Sequence, residues 1–353
     1  MLLLIRVIAC SSLLLLSSLA LSAQDDRTDS ADSTAAPQTR VFGALDGYWR
    51  YGFNESTATT SPGLYHNVFT IGWLSFGVEH TWKGGGMRGD LSFGQRTVEF
   101  LKDDQDILTY VRNVSIFQEV NQQLLVEFGI FPSYVGYEYD DPWRNPNYSP
   151  SYVYSWTPVG FLGARAVYSP DEIWSFTFGV YNSSTQRLDS DVQKHVDFNL
   201  EYDTDNWYTE FSITGGTEPN GSTQIHLDWI GDISLGDDWN LGYNYYRLLY
   251  RNAGSEVDRF WQDVVLYLTY SASDELDLTL RADRFHDPDG FIYGQNDLNI
   301  TAFTLTPRFQ FGRVRVYPEL RADFSDQPLF LDNEGIAREA EVSFVVGVAY
   351  LFE

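Results

Sequence analysis

The chain is poor in the residues that most soluble enzymes use for chemistry. Among 353 residues there is one cysteine, Cys10, with two methionines and five histidines. A lone thiol forms no internal disulfide and supplies no Cys-ligated metal site. The histidines (His66, His80, His195, His226 and His286) are scattered, without His-x-x-x-His or other metal-ligand spacing, and no Gly-x-Ser-x-Gly elbow occurs. Positive charge is scarce, 23 Lys and Arg against 49 Asp and Glu, and lysine is nearly absent (Lys83, Lys102 and Lys194). A net charge of −26 excludes the basic footprint that nucleic acids require. Beyond residue 23 no apolar run is long enough for a membrane-spanning helix.

The one long apolar stretch is at the start. Residues 1–23 carry a single early cation, Arg6, then an apolar segment broken only by serines and closed by the small residues Ser22 and Ala23. This is the pattern of a secretory signal peptide cleaved after Ala23. A spanning helix is the competing reading, but the next residues are acidic and no basic stop-transfer flank follows. A lipoprotein signal, with Val7, Ile8 and Ala9 before Cys10, would leave too short an apolar region. Cleavage removes Cys10 and takes the net charge of −26 to −27 through loss of Arg6. Residues 24–40 are polar and aperiodic, as in a flexible periplasmic leader.

What the chain does have is aromatic residues, 16% of the total, and alternation. From Val41 onward apolar and polar residues alternate with period two, the signature of a strand with one face in each environment. In 339–353, Ala340, Val342, Phe344, Val346, Val348, Tyr350 and Phe352 fall on one face; in 276–283, Leu276, Leu278, Leu280 and Ala282 alternate with Asp277, Thr279, Arg281 and Asp283. About sixteen such segments of roughly ten residues can be counted, the length of a tilted transmembrane strand. Their centres lie near 47, 75, 92, 114, 127, 165, 177, 199, 210, 229, 244, 266, 280, 305, 319 and 346. Short turns (Lys83-Gly84, Gly236-Asp237-Asp238, Ser273-Asp274-Glu275) alternate with longer polar loops, the longest at about 132–158.

A soluble sandwich also alternates, but three features favour a barrel. The polar faces are charged, as a wet lumen permits. Trp207, Trp239, Tyr243 and Trp261 stand near strand ends as in interfacial girdles. The last strand ends on Phe352 with alternate apolar residues before it. The expected fold is all-β: a transmembrane antiparallel up-and-down β-barrel of about sixteen strands (fourteen to eighteen), spanning 41–353. Closure leaves no unpaired edge in hydrocarbon.

Several stretches resemble the putative β-barrel porin-2 family, also called OmpL-like. VEHTWKGGGMRGDLSFGQ resembles its paired strands around a tight turn. LLVEFGIFPSYVGYEYDDPWRNPNYSPSYVYSWTPVGFLGARAVY resembles its strand, Asn-Tyr-Ser loop (Asn147, Tyr148, Ser149, Tyr152) and Pro-Gly re-entry (Pro158, Gly163). RADRFHDPDG and VYPELRADFSDQPLF resemble its later strands. The resemblance spans about 41–353 and implies an outer-membrane barrel with a transport role and no catalytic residues. Glu353 after Phe352 departs from the usual terminal aromatic.

The expected lumen-lining residues are Arg88, Asp90, Arg96, Arg281, Asp283, Arg313, Arg315, Glu319, Arg321 and Asp323, with Arg112 and Arg165 on further polar faces. Arginine stays charged and grips carboxylates and phosphates bidentately, so Arg313, Arg315 and Arg321 could form a basic strip that orients solutes. Equally, these arginines could pair with Asp90, Asp283, Glu319 and Asp323 and simply fill the wall. His286-Asp287-Pro288-Asp289-Gly290 resembles part of a calcium loop but lacks the remaining ligands, so a hairpin loop is the simpler reading. Asp103, Asp104, Asp106, Asp140 and Asp141 read as loop acids, with the pairs Asp103–Asp104 and Asp140–Asp141 solvated or bridged by divalent cations at the cell surface. The expected protein is a porin passing small hydrophilic solutes, without catalytic site, cofactor or metal. Its partners would be outer-membrane lipid and lipopolysaccharide, the solutes, the barrel-assembly machinery at the C-terminal strand, and further copies in a homo-oligomer. The alternatives are a barrel for adhesion or envelope structure, and a secreted or outer-membrane enzyme.

Overall fold

A computed structural model describes residues 36–352, apart from 61–62, 102–103, 105 and 190–191. The expected signal peptide, Cys10, most of the leader and Glu353 lie outside the described residues. The strands are β1 (Gln38–Gly52), β2 (Phe69–Trp82), β3 (Gly85–Phe93), β4 (Val111–Asn121), β5 (Leu124–Pro132), β6 (Gly160–Tyr168), β7 (Trp174–Tyr181) and β8 (His195–Thr204). They continue as β9 (Trp207–Thr217), β10 (Thr223–Ser234), β11 (Trp239–Arg251), β12 (Asp258–Ser273), β13 (Leu276–Asp289), β14 (Asn296–Phe311) and β15 (Val314–Ser325). A two-strand loop ribbon, β16 (Phe330–Leu331) and β17 (Ala337–Arg338), precedes β18 (Ala340–Phe352).

Sixteen of these form one closed barrel in sequence order, with β18 pairing β15 on one side and β1 on the other. Every neighbouring pair in the barrel is antiparallel. Each of the sixteen alternating segments in the sequence falls in its own strand. The first strand starts at Gln38, so the last three residues of the expected leader belong to the barrel wall.

Alternation sets the two faces. On β15, Leu320 and Phe324 are exposed on the outside while Tyr317, Glu319, Arg321 and Asp323 are buried inside. Outward Phe76, Phe128, Phe178, Leu266, Leu280 and Phe303 are all exposed as well. Contiguous exposed apolar side chains on every side of a closed sheet mean contact with hydrocarbon.

The connections at the two ends differ. One end carries short turns (83–84, 122–123, 205–206, 274–275, 312–313) together with Gln38 and Phe352; the other carries the long loops. At the turn end Gly84 takes a φ of +71°, a left-handed conformation that suits glycine. Aromatic rings ring that end: Trp174 lies 4.8 Å from Tyr202, Tyr202 lies 5.3 Å from Trp207, and Trp239 lies 4.7 Å from Tyr270, centroid to centroid. Trp207 and Trp239 stand in this ring as expected, and Trp207 Nε1 donates to Tyr243 Oη at 3.3 Å. Trp261 does not: odd positions of β12 point inward, and it is fully buried beside Tyr246 and Phe285.

The β14–β15 ladder has a local gap, passing from Leu305 opposite Leu320 to Phe309 opposite Val316. Pro307 and Pro318 both fall in it, and neither can donate a ladder hydrogen bond.

Candidate functional site: the lumen and its inward loop

The segment 133–159 does not project from the long-loop end. It leaves the wall at Pro132, re-enters at Gly160 directly opposite, and folds into the lumen between them. Two short 3-10 turns, Pro142–Arg144 and Tyr154–Trp156, give it local shape, and the Asp141 carboxylate accepts the Trp143 N–H at 2.9 Å. Tyr148, Tyr152, Val153 and Ser151 on this loop are almost wholly buried.

A loop inside a barrel leaves backbone donors and acceptors away from bulk water, so the wall must supply partners. Wall carboxylates take the N–H groups. Glu319 accepts from Tyr148 N at 2.8 Å and Ser149 N at 3.1 Å; Asp228 accepts from Gly136 N at 2.6 Å. Wall arginines take the carbonyls. Arg281 donates to Ser149 O at 2.6 Å, Arg321 donates to Pro150 O at 2.6 Å, and Arg315 donates to Trp143 O. The loop's own Glu138 reaches out to Arg281 at 2.8 Å and accepts from Tyr267 Oη at 3.1 Å.

Loop tyrosines complete the seating. Tyr137 Oη donates to Asp232 at 2.8 Å, Tyr152 Oη to Asp323 at 2.8 Å, and Tyr148 Oη to Asp46. Burial, then the facing carboxylates Asp232 and Asp46, hold the Tyr137 and Tyr148 hydroxyls well above their usual range, so both stay protonated donors. Two inward wall glycines act as sockets: a Cβ on Gly347 would strike the Tyr148 ring, and one on Gly242 would strike the Tyr137 hydroxyl. Asp141 is pushed above the ordinary carboxylate value by burial, against the pull of Arg112 and Arg144.

The expected lumen residues divide accordingly. Arg281, Arg315, Glu319, Arg321 and Asp323 face inward but grip the loop; Asp283 is buried 3.4 Å from Arg281. Arg321 also pairs with Asp323 at 2.9 Å. Arg313 does not join them: β15 begins at Val314, and Arg313 is exposed in the turn before it. Arg96 is on no strand. It sits on α1 (Gln95–Phe100), a short helix after β3, buried 3.5 Å from Asp46. Asp90 is buried inside and binds Arg112 at 3.2 Å, while Arg88 stands 4.7 Å from the Phe42 ring. Arg165 pairs with Glu127 at 2.7 Å.

Three loop acids differ from expectation. Asp104 is buried against Arg187 at 2.7 Å; Asp140 is bound by Arg112 at 2.7 Å; Asp141 is buried. Asp103 and the Asp106 side chain lie outside the description. Arg187 escaped sequence reading altogether, although it also donates to Val111 O at 2.6 Å and Leu108 O at 2.6 Å, tying two long loops together. So did Glu138; Arg50, on the polar face of the first strand, pairs with Glu341 across the β1–β18 seam. None of these pairings carries a local signal, because each partner is far away in sequence.

Two small spaces border the loop. One, about 60 Å³, lies between the loop and β3–β6, lined by Arg88, Arg112, Arg144 and Arg165 with Glu138, Asp140 and Glu210. Another, about 260 Å³, opens at the turn end beside Asn145, Asp205, Asp237, Trp239, Asp277 and Arg308. Both have mixed linings with several charged groups, and a water needs roughly 10–15 Å³ of such volume.

Asp287 is a loop staple rather than a calcium ligand: its carboxylate accepts Phe291 N at 2.8 Å and Ile292 N at 2.7 Å. Among the described residues no group of three or more His, Cys, Asp or Glu side chains is arranged to hold a metal ion. His195 and Asp197 are both buried on the inward face of β8.

Solved structures with this architecture are outer-membrane proteins. An anion-selective porin from Comamonas acidovorans is similar with a TM-score of 0.64 and 13% identity, covering 90% of this chain and 100% of the porin. OmpT, an outer-membrane protein of Vibrio cholerae, gives 0.61 at 14% identity over 90% and 99%. The outer-membrane channel DcaP of Acinetobacter baumannii gives 0.60 at 12% over 90% and 98%. At such identities the likeness is one of fold. No curated protein matches the sequence. The profile of the Putative beta-barrel porin-2, OmpL-like family matches residues 38–352, essentially the whole barrel, and the chain belongs to that family.

Proposed function

We propose that this protein is a narrow outer-membrane porin, passing small hydrophilic solutes passively alongside the inward loop. The observation that carries this is the combination of an apolar outer belt with a charged inner face that a single loop narrows. A charged inner face has no use in a barrel whose only task is to present loops. In this reading the turn end faces the periplasm, as short turns do in this class. The mature chain begins after Ala23, and β18 is the strand read by the assembly machinery. One structural relative was solved in a trimer form, which supports a homo-oligomer here.

Net acidity contributes weak cation preference from the mouths, screened within about 8–10 Å at physiological salt. The arginines beside the 60 Å³ gap, rather than Arg313, Arg315 and Arg321, set how carboxylate solutes pass. Planar-bilayer recording of the purified protein tests the proposal. Small, discrete, weakly cation-selective steps are expected, and selectivity should fade as salt rises. A second reading, a barrel for envelope structure, draws on the packed lumen. Total absence of conductance from correctly folded protein would establish it instead.

A further inference from the structure

The outward face is apolar from end to end on most strands. On β2 it reads Phe69, Ile71, Leu74, Phe76 and Val78; on β18 it reads Val342, Phe344, Val346, Val348 and Tyr350. On β11–β14 the pattern breaks. Arg247 stands opposite Gln262, Gln262 opposite His286, and His286 opposite Asn299, one continuous cross-strand row on the outside of four strands. Arg284 lies two residues from His286 on the same face and is exposed.

Both arginines lack a carboxylate partner among the described residues. Arg284 donates to Thr301 Oγ1 at 2.6 Å and Asn299 Oδ1 at 3.1 Å, both neutral. Arg247 rests 4.0 Å from the Phe260 ring centre, and its Nε makes no hydrogen bond. Acids border the row without entering it. Asp326 is held by Asn299 at 2.8 Å, and Asp258 is spent on Arg251 at 2.6 Å.

Height places the row. Leu276, Leu278, Leu280 and Ala282 are the apolar outward positions of β13 below it. Eight residues from Leu276 to Arg284, at about 3.3 Å each and tilted about 40°, rise roughly 20 Å, close to the top of an apolar band about 25 Å tall. The row therefore meets the headgroup layer on the long-loop side. Two strand spacings and a two-residue offset set the backbone positions of Arg247 and Arg284 about 12 Å apart.

We infer that this row is a docking surface for a phosphorylated glycolipid of the outer leaflet, a lipopolysaccharide headgroup whose phosphates take Arg247 and Arg284 while Gln262, His286 and Asn299 hydrogen-bond its sugars. Guanidinium forks match phosphate oxygens, and a desolvated cation at the edge of hydrocarbon has most to gain from an anionic partner. The inference rests on the outer-membrane placement, with the long loops outward, but not on conduction.

The test uses full-length mature protein in three forms: wild type, R247Q/R284Q and R247K/R284K. Each is exposed to purified lipopolysaccharide or to the same material with its phosphates removed, and bound lipid is counted by native mass spectrometry. Wild type is expected to retain the phosphorylated form at least about tenfold better than the dephosphorylated one. R247Q/R284Q should lose that preference, and R247K/R284K should keep a substantial part of it. Heat-modifiable gel mobility and channel conductance, unchanged in all three, show that the barrel is intact and keep the result separate from the porin proposal. Equal retention of both lipids by wild type overturns the inference, as does an undiminished preference in R247Q/R284Q. So does a fall in subunit number with lipid binding unchanged, which would make the row a contact between copies of the chain.

Discussion

Replacing Glu138 with alanine should loosen the loop from the wall. Glu138 and Arg281 form a pair with side-chain exposures of 2% and 0%. The substitution removes one of two acceptors of Arg281 Nη1, the acceptor of Tyr267 Oη and, within the loop, that of Ser151 N, and leaves the guanidinium desolvated with one fewer counter-charge. Breaking such a pair on one side costs about 3–5 kcal/mol. Withdrawal of the loop lets water reach the abandoned wall groups, so the cost falls mainly on the seated state. Even about 3 kcal/mol shifts a seated–withdrawn equilibrium roughly a hundredfold. Single-channel recording should show large openings about two orders of magnitude more frequent than in wild type. Gly347→Val should act in the same direction without touching a charge, because its side chain occupies the place of the Tyr148 ring. If both variants fold, shown by heat-modifiable mobility, and both give wild-type traces, the loop does not govern the bore and the reasoning is refuted.

Three further outcomes are expected. Leu320→Arg, on the exposed outer face of β15, should destabilise the barrel by about 2–4 kcal/mol in denaturant titration into lipid; a neutral result would mean that this face does not meet hydrocarbon. Asp141→Asn should raise protection of 133–159 from hydrogen exchange at neutral pH and flatten its pH dependence. The carboxyl of Asp141 titrates above its ordinary value, so the seated loop binds the proton more tightly and loses stability as pH rises from that ordinary value through the shifted one. A wild-type loop more protected at pH 7 than at pH 4 would contradict the sign. N-terminal sequencing of the outer-membrane fraction should begin near Gln24, and a lipid-modified Cys10 would refute the processing expected from the sequence.

The wall was legible because one rule, period two against two solvents, operates locally on every strand; residues such as Leu280 and Arg281 declare their faces two at a time. The lumen was not. Segment 132–158 has the Tyr, Pro and Asn content of any surface loop, and its inward course depends on Glu319, Arg281, Asp228 and Gly347, which lie far along the chain. Trp261 misled because an aromatic near a strand end suits a girdle or a core equally, and only its parity on β12 decides. Arg313 shares the parity of Arg315 but falls in the turn, since alternation does not show where a strand begins. Arg96 follows β3 by a few residues, and nothing in that polar stretch announces the helical turn that carries it inward.

The seating of the inward loop ties it to the order in which the chain is made. Tyr148 waits for Glu319, 171 residues later, and Ser149 waits for Arg281, 132 residues later. Until β13 and β15 have joined the wall, the centre of the loop lacks Arg281 and Glu319, and only its start has partners, such as Asp228 for Gly136 N. Ordering of that centre is thus among the final events of assembly. An amide label within it, protected only in the finished barrel, would time closure of the whole molecule from the behaviour of a segment that belongs to no strand.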